Sequence, residues 1–427
     1  MEKVRIGVIG YGNMGSGHAG YLSKNEIKDA EITALCDNNP EKLEKAQADL
    51  GGNAPNIQYF DDYKKLLDSK VADLIIIAAP HYFHPVIGMD ALKQGINVLS
   101  EKPIGVYTKN VEEMNELAKK SGLTYGIMFQ QRTHPVHKKI KQMMDDKVLG
   151  DLKRIVWIVT NWYRSQSYYN SGGWRATWSG EGGGVLINQC PHNLDLWQWF
   201  FGLPERIRGF CAFGKYRDIE VEDDVTAYME YKNGATGVLM TTTGETPGTN
   251  RLEVSGDNGK LIFEDGKITL YKNEMPETEF NKTYTGGFGQ PKCEKIVYEN
   301  GKITLYKNDM PESEFNKAYA SGLGEPECEK IEIEIEREEG WDDHRKITQN
   351  VVNHILYKEP LIADGYEGIK SLTISNSIYL STWLDSWVNL PIDKDLYLEE
   401  LKKRIATSKS KENYVEKIID LAGSSNV

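Results

Sequence analysis

The sequence predicts an α/β protein in which a doubly wound parallel sheet is followed by a mainly antiparallel sheet. In the first 130 residues, strands that are apolar throughout alternate with amphipathic helical patterns, which indicates parallel strands covered on both faces. After about residue 150, strand-like stretches follow each other through turns such as Lys232-Asn233-Gly234, a pattern typical of hairpins. The length of 427 residues allows two or three domains of about 150 residues each.

The expected elements follow from the periodicity of the apolar residues and from the turn residues between them. In the first half we expect strands at 4–9, 31–36, 72–78, 97–99 and 125–128, and helices at 14–23, 40–50, 63–67, 84–93 and 110–120. In the second half we expect strands at 152–160, 206–213, 225–231, 237–243, 251–255 and 260–263, and helices near 186–200, at 342–357 and at 366–387. The Lys/Glu-rich tail from about residue 402 is expected to form a surface helix or to be partly disordered.

Charge and composition narrow the class of protein. The formal net charge of −12 argues against a general nucleic-acid-binding role, and no apolar run approaches the roughly 20 residues of a membrane-spanning helix. The chain enters a strand at once, without a signal-peptide pattern, and its five cysteines include no Cys-x-x-Cys pair. We therefore expect a reduced, soluble protein of the cytoplasm that binds neither nucleic acid nor membrane.

An internal repeat interrupts the second half of the chain. Residues 264–296 recur as residues 299–331, at an offset of 35 positions. Only two copies are present, which excludes a solenoid. We interpret the repeat as a tandem duplication that lengthens a strand-and-loop segment, either without functional effect or with an added oligomer or substrate contact.

The first strand runs into a glycine-rich loop that opens a helical pattern. This loop has the G-x-G-x-x-G spacing of dinucleotide sites and consists of Gly10, Tyr11, Gly12, Asn13, Met14 and Gly15. The helix that follows presents free N–H groups to phosphates. Asp37 ends the second strand, where a carboxylate can bind both ribose hydroxyls and would repel a 2′-phosphate. The pattern favours NAD over NADP; a mononucleotide site, a flavin site or a packing turn are the alternatives.

Two further segments carry residues suited to proton transfer. Lys102 stands at the end of a predicted parallel strand, where ligands bind in open α/β sheets, although most lysines are surface cations. In the expected helix near 186–200, Asn188, His192 and Asp195 are spaced i, i+4 and i+7 and would share one face. A polar row on that face is unusual for a core helix, whereas a single histidine would more often be a satisfied core residue.

Taken together, these motifs resemble the Gfo/Idh/MocA family, the relatives of glucose–fructose oxidoreductase and inositol dehydrogenase. The matching segments are GVIGYGNMG at 7–15, CD at 36–37, AAPHYFHP at 78–85, ALKQGINVLSEKP at 91–103, and the glycines, His192 and Asp195 within 182–195. The resemblance implies an N-terminal Rossmann doubly wound parallel sheet plus a C-terminal α+β domain with a large, mainly antiparallel open sheet. It also implies a sugar or cyclitol substrate and a homodimer or homotetramer formed through the C-terminal sheet.

The resemblance assigns residues to the cofactor and to catalysis. The cofactor residues that it adds to the glycine loop and Asp37 are Ala79, Pro80, His84, Glu101, Lys102 and Pro103. The catalytic lysine matches Lys102 and the catalytic histidine matches His192. Many inositol-dehydrogenase-like members have an aspartate where this chain has Asn188, and an amide cannot stabilise an imidazolium by charge. We expect His192 to be the general base and Lys102 to stabilise the reacting oxygen, with the reverse assignment left open.

An aromatic and arginine-rich stretch precedes the histidine. Such residues suit a polyol, because rings stack on sugar faces while polar groups bind hydroxyls; an aromatic core is the alternative. The candidate substrate residues are Gln130, Arg132, Tyr163, Arg164, Trp174, Arg175, Trp178 and Asp195. The remaining histidines lack the spacing of metal ligands, so no metal is expected.

These patterns predict a function and a domain plan. We expect an NAD-dependent oxidoreductase acting on a ring secondary alcohol or ketone of a sugar, glycoside or cyclitol. The alternatives are a glycosidase-like enzyme that uses transient redox, or a catalytically silent NAD- or sugar-sensing regulator. The expected domains are an NAD(P)-binding domain at 1–131, a substrate-binding and oligomerisation domain at 132–395 that contains the repeat 264–298 and 299–333, and a tail at 396–427.

Overall fold

A six-stranded parallel sheet forms the first half of the protein. The computed structural model describes residues 3–287, 289–299, 302–308, 328–334, 343–409 and 411. The strands are β1 (Val4–Ile9), β2 (Ala30–Cys36), β3 (Gln58–Phe60), β4 (Leu74–Ile77), β5 (Asn97–Ser100) and β6 (Tyr125–Ile127), in the order β3-β2-β1-β4-β5-β6. The strand order reverses direction between β1 and β4, so a crevice opens at their carboxyl ends.

Helices cover this sheet at nearly the predicted positions. They are α1 (Asn13–Ser23), α2 (Pro40–Leu50), α3 (Tyr63–Asp68), α4 (Phe83–Lys93) and α5 (Thr108–Ser121). The side chain of Asn39 caps α2 by accepting the N–H of Glu41, which is why this helix begins where the sequence predicts. The edge strand β3 was not predicted, because its three residues are only partly buried and show no apolar run.

A second, eleven-stranded sheet follows. Its strands are β7 (Leu152–Val159), β8 (Arg206–Phe213), β9 (Glu222–Glu230), β10 (Thr236–Thr242), β11 (Asn250–Gly256), β12 (Gly259–Glu264), β13 (Lys267–Asn273), β14 (Cys293–Glu299), β15 (Lys302–Asn308), β16 (Cys328–Glu334) and β17 (Val388–Asn389). Their order is β16-β15-β14-β13-β12-β11-β7-β10-β9-β8-β17. Among these described strands the pair β7–β10 is parallel and the others are antiparallel. The predicted fold class is confirmed.

Helices of the second half pack on this sheet and on the first domain. They are α6 (Pro135–Asp145), α7 (Gln166–Tyr169), α8 (Pro191–Phe201), α9 (Glu277–Thr283), α10 (Asp343–Tyr357), α11 (Gly368–Leu384) and α12 (Lys394–Thr407). The close approach of α11 to β8 requires Gly209, where a Cβ would lie 2.6 Å from the carbonyl oxygen of Ile378. Along the parts of the chain that the structure describes, no helix has the length and apolar character needed to cross a membrane.

The start of α8 differs from the prediction. The helix begins at Pro191 rather than near residue 186, because proline suits the first helical position, where its missing N–H needs no partner. Asn188 therefore lies in the turn before the helix, and the expected row of Asn188, His192 and Asp195 along one helix face is wrong. The turn nevertheless holds Asn188 beside the amino end of α8.

The repeat extends the edge of the second sheet. The first copy contributes β13 and β14, and the second contributes β15 and β16, each pair forming an antiparallel hairpin. Ile268 and Leu270 in β13 are buried, whereas the matching Ile303 and Leu305 in β15 are only half-buried. The second copy therefore prolongs the sheet beyond its well-packed part. Residues 309–327 of this copy lie outside the described residues.

Candidate active site

The glycine loop leaves open space beside the amino end of α1. Gly10 has φ +98°, and a Cβ there would lie 2.5 Å from the carbonyl oxygen of Ala78. A Cβ on Gly15 would lie 1.8 Å from the carbonyl oxygen of Gly10, whereas one on Gly12 would meet nothing within 4 Å. No side chain caps α1, so its first N–H groups face this space. These features fit the pyrophosphate of a dinucleotide.

Asp37 lies next to this loop. Its carboxylate accepts the N–H of Tyr11 at 2.7 Å and that of Asn39 at 2.9 Å, and the side chain is 8% exposed. The two bonds hold the carboxylate at the end of β2, where the sequence predicts the ribose to bind.

The residues between β4 and β5 form a rigid wall of the crevice. The ring nitrogens of His84 lie 2.7 Å from the carbonyl oxygens of Pro103 and of Ala79. Both nitrogens of His84 are thus occupied by backbone groups, which ties the segment at Ala79 and Pro80 to the segment at Pro103. His84 holds the wall together through these contacts.

Glu101 is buried behind Lys102. One carboxylate oxygen lies 2.7 Å from Nε2 of His18 and the other accepts the backbone N–H of Lys102 at 3.1 Å. Burial opposes the charge of Glu101, but the hydrogen bond and the charge of His18 prevail and lower its pKa to about 2. Glu101 is therefore an anion that fixes the backbone of the lysine.

Lys102 projects from the end of β5 toward the turn before α8. Its Nζ donates a 2.9 Å hydrogen bond to the backbone carbonyl of Asn188. Burial lowers the pKa of Lys102, and the charges of Arg164 and Arg175 lower it further, while Glu101 and Glu181 raise it. The ammonium group is thus partly destabilised, which makes proton exchange easier.

His192 lies in the first turn of α8 and is buried. Its Nε2 is 3.3 Å from the amide nitrogen of Gln130, and its Nδ1 has no hydrogen-bond partner among the described residues. Burial and the charge of Lys102 hold the pKa of His192 well below its ordinary value. The imidazole is therefore neutral at physiological pH and can accept a proton.

Sequence reasoning missed Glu181, a buried carboxylate beside Asn188. The side-chain amide of Asn188 donates to one carboxylate oxygen of Glu181, and the N–H of Ala176 donates to the other at 2.5 Å. Glu181 is 1% exposed, and burial raises its pKa. An acidic residue directly before three glycines was the signal that could have identified it.

A second carboxylate, Glu222, shapes the loop that carries this pair. It accepts the N–H groups of Gly184 and Leu186, both at 2.9 Å, and the hydroxyl of Tyr379 at 2.7 Å. Burial raises the pKa of Glu222 to about 7. Glu222 of β9 and Tyr379 of α11 therefore hold the loop between Glu181 and Asn188 in place through these hydrogen bonds.

Part of the aromatic stretch lines the same site. The hydroxyl of Tyr168 accepts hydrogen bonds from Arg175 at 3.0 Å, Gln189 at 3.2 Å and Asn188 at 3.3 Å. Arg175 also lies over the ring of Trp174, 4.7 Å from its centroid. Trp174 itself packs edge-on against His81, with ring centroids 5.5 Å apart. Tyr168 thus links the aromatic stretch to the turn that contacts Lys102.

Three candidate substrate residues have other partners. Arg132 and Asp195 form a buried, two-bonded ion pair with distances of 2.8 and 2.6 Å. Trp178 donates its indole N–H to the carbonyl of Glu220 at 3.1 Å and packs edge-on against Tyr379. These contacts are those of core residues. Tyr163 and Arg164, by contrast, are exposed and half-buried respectively.

The structure also bears on metal binding. Within the described ranges, no group of three or more His, Cys, Asp or Glu side chains is arranged to hold a metal ion. His137 is buried with its Nδ1 2.9 Å from the carbonyl of Gln131, and Nδ1 of His134 accepts the N–H of Val136 at the start of α6.

Known proteins resemble both halves of the chain. Residues 4–129 match the oxidoreductase family with an NAD-binding Rossmann fold, and residues 137–262 match the GFO/IDH/MocA C-terminal domain. D-glucoside 3-dehydrogenase of Escherichia coli is 26% identical over 56% of this chain and 69% of its own. Myo-inositol 2-dehydrogenase of Thermotoga maritima is 24% identical over 62% of this chain and 77% of its own.

A solved structure shows the same fold. The WlbA dehydrogenase of Bordetella pertussis, in complex with NADH and UDP-GlcNAcA, aligns with a TM-score of 0.68 and 23% identity. The alignment covers 92% of this chain and all of the other. The matches cover the parallel sheet and the second sheet together.

Proposed function

The chain belongs to the Gfo/Idh/MocA family of NAD-binding oxidoreductases, and from this premise we propose an activity. The protein is an NAD-dependent dehydrogenase that interconverts a ring secondary alcohol and a ketone of a sugar, glycoside or cyclitol. One observation carries this proposal: Lys102 at the end of β5 contacts the turn before α8, and its charge acts on the buried, neutral His192 in the first turn of that helix. A carbinol placed there would meet a proton acceptor and a cation.

The residues of the first domain fit a nicotinamide dinucleotide. The glycine loop and the amino end of α1 would hold the pyrophosphate, and Asp37 would bind the ribose hydroxyls and disfavour a 2′-phosphate. The bound cofactor supplies the hydride acceptor or donor. The segments at Ala79, Pro80 and Pro103 form the wall against which it would lie.

Proton transfer falls to two side chains. His192 accepts the proton of the substrate hydroxyl, because burial keeps its imidazole neutral. Lys102 donates a hydrogen bond to the reacting oxygen and offsets its developing charge. The buried Glu181 opposes the loss of the lysine proton, which supports Lys102 in the cationic role. Asn188 positions the lysine through its backbone carbonyl.

The relatives and the site support a carbohydrate or cyclitol substrate. D-glucoside and inositol dehydrogenases are among the matched proteins. Trp174 and Tyr168 supply ring faces, and Arg175 supplies hydrogen-bond donors beside them. This combination suits a polyol with apolar ring faces and several hydroxyls.

The test is a screen of free sugars, inositols and glycosides with NAD⁺, read as NADH absorbance. We expect NADH formation with a ring polyol. Lys102→Met and His192→Ala should each lower kcat by roughly 10²–10⁴ while leaving NADH binding intact. Product without net NADH would instead indicate a glycosidase-like cycle, and NADH binding without any product would indicate a regulator. Near-normal turnover by either variant would contradict its assigned role.

A further inference from the structure

Three arginines near the candidate site form no ion pair with any carboxylate that the structure describes. Apart from Arg154, every other arginine in the described part of the chain pairs with a carboxylate, whereas Arg164, Arg175 and Arg217 do not. Arg164 and Arg175 lie over the same ring, that of Tyr168, at 5.2 and 4.7 Å from its centroid. Both are half-buried. Unpaired positive charge is thus concentrated at one place.

Most of the N–H donors of Arg164 and Arg175 have no hydrogen-bond acceptor among the described residues. A guanidinium carries five N–H groups. Arg164 donates one hydrogen bond, to the carbonyl of Tyr163 at 2.9 Å, and Arg175 donates one, to the hydroxyl of Tyr168 at 3.0 Å. Arg217 adjoins the pair by donating from Nε to the carbonyl of Arg164 at 2.8 Å, and its Nη2 is buried without a partner among the described residues.

Burial raises the pKa of Glu181 and the charge of Arg175 lowers it, so Arg175 and this carboxylate attract each other, although they form no ion pair among the described residues. Arg164 and Arg175 lower the pKa of Lys102, so they act on the same site. Lys411 adds another cation, since its Nζ donates to the carbonyl of Tyr169 at 2.7 Å. The nearby carboxylate of Glu181 is buried and already accepts two hydrogen bonds. Clustered, half-buried cations of this kind are costly unless an anion joins them.

We propose that Arg164 and Arg175 bind an anionic group of the substrate, so that the sugar is an acid or a phosphate ester. The inference rests on the proposed dehydrogenase activity and names its substrate class. A planar fork of N–H donors matches a carboxylate or a phosphoryl group better than a hydroxyl. The hydroxyl of Tyr168 accepts hydrogen bonds from Arg175 and from the side chain of Asn188, whose backbone carbonyl binds Lys102, so Tyr168 connects the proposed anion site to the proposed catalytic lysine.

The test compares matched sugars on the full-length enzyme with NAD⁺. Glucose, glucuronate and glucose 6-phosphate form one set; galactose, galacturonate and galactose 6-phosphate form another. We expect kcat/KM for an acidic member to exceed that of its neutral partner by at least about tenfold. A preference for the uronate identifies a carboxylate and a preference for the ester identifies a phosphoryl group. Neutral sugars that react as well as both acids would overturn the inference.

Variants locate the effect. Arg164→Met and Arg175→Met should each lower the acid-to-neutral ratio of kcat/KM by about 10–100-fold, and Arg175→Lys should lower it less. Arg154→Met is the matched control, because Arg154 also forms no ion pair among the described residues but lies on β7. The acid-to-neutral ratio of kcat/KM for this variant should equal that of the wild type. If Arg154→Met changes the ratio as much as the other variants, the anion site is not at Tyr168.

Calorimetric titration of the acids into the NADH complex separates the two proposals. Arginine-dependent binding of an acid without turnover of any sugar supports the anion site and overturns the dehydrogenase activity. Turnover of neutral sugars without arginine-dependent binding of any acid supports the dehydrogenase activity and overturns the anion site. A wild-type enzyme that binds none of the acids overturns the inference whether or not the arginine variants fold.

Discussion

The contact between Asn188 and Glu181 permits a charge-exchange experiment. Asn188→Asp places a second carboxylate against one that is 1% exposed. Two negative charges about 4 Å apart at an effective dielectric constant of about 20 repel each other by about 4 kcal/mol. That energy equals the cost of about 4 kcal/mol for retaining a carboxyl proton at pH 7, and burial, which raises the pKa of Glu181, adds to it, so the pair holds one proton at neutral pH.

The sign of the stability change follows from proton linkage. In the variant, the folded pair holds its proton more tightly than the unfolded chain does, so stability falls as pH rises from the ordinary carboxyl range toward neutrality. The free energy of unfolding should drop by about 2–4 kcal/mol more than in the wild type between about pH 5 and about pH 8. Denaturant unfolding at the two pH values measures this difference.

The double variant Asn188→Asp with Glu181→Gln is the control. It restores one carboxylate and one amide in exchanged positions, so its pH dependence should return to that of the wild type. A double variant as pH-sensitive as Asn188→Asp alone would refute the reasoning, because repulsion between the two carboxylates could not then be the cause. Equal pH dependence in all three proteins would show that the contact is absent in solution.

Glu181→Gln alone tests which side chain accepts the substrate proton. Removing the carboxylate removes a charge that raises the pKa of Lys102, so that pKa falls further. If Lys102 acts as a cation and His192 as the base, the alkaline limb of the kcat–pH profile moves to lower pH. If Lys102 is the base, the acidic limb moves to lower pH instead. A profile in which neither limb moves would show that Glu181 does not act on the lysine.

Three further outcomes are expected. Asp37→Ser should reduce a preference for NAD⁺ over NADP⁺ of about tenfold or more, since the wild-type carboxylate faces the 2′-position; equal kcat/KM values for both cofactors in the wild type would contradict this. Trp174→Ala should raise KM about tenfold, because the substrate would lose a stacking surface. Trp178→Ala should leave KM unchanged and lower the free energy of unfolding by about 3–5 kcal/mol, because this side chain packs in the core. The reverse result would assign stacking to Trp178 and core packing to Trp174. Deletion of residues 299–333 should leave a folded protein that binds NADH, because β15 is less buried than β13; loss of expression as a folded protein would place both copies in the core.

The sequence predicted β1, β2, β4, β5 and β6 closely because each is a largely apolar run between polar turns, and it missed β3, which is only partly buried. The bounds of β1, α2 and β8 match the prediction to the residue. The helix α6 was not predicted, although Val136, Ile140, Met143 and Met144 recur at helical spacing and contact the core. The pattern that would have identified this helix was present in the sequence.

The candidate site was harder to predict because its contacts depend on how distant segments meet. Trp174 and Trp178 stand four residues apart in one aromatic stretch, yet one faces His81 and the other packs against Tyr379 of α11. From composition alone, both tryptophans would be assigned to substrate stacking. Likewise, the charges of Arg132 and Asp195 meet across 63 residues, so the sequence could not show that they pair with each other.

The asparagine at position 188, where the family resemblance predicts an aspartate, illustrates the same point. Asn188 carries no negative charge, but its side-chain amide donates a hydrogen bond to the carboxylate of Glu181, which places a negative charge next to it. Gly182 and Gly183, with φ of +83° and +157°, turn the chain back, and a Cβ on Gly184 would lie 2.0 Å from the carbonyl oxygen of Glu222. The glycines thus allow a tight loop that brings the carboxylate of Glu181 next to Asn188, although the two residues stand seven positions apart in the sequence. A lysine with a lowered pKa keeps an anionic neighbour although the position four residues before the histidine is neutral.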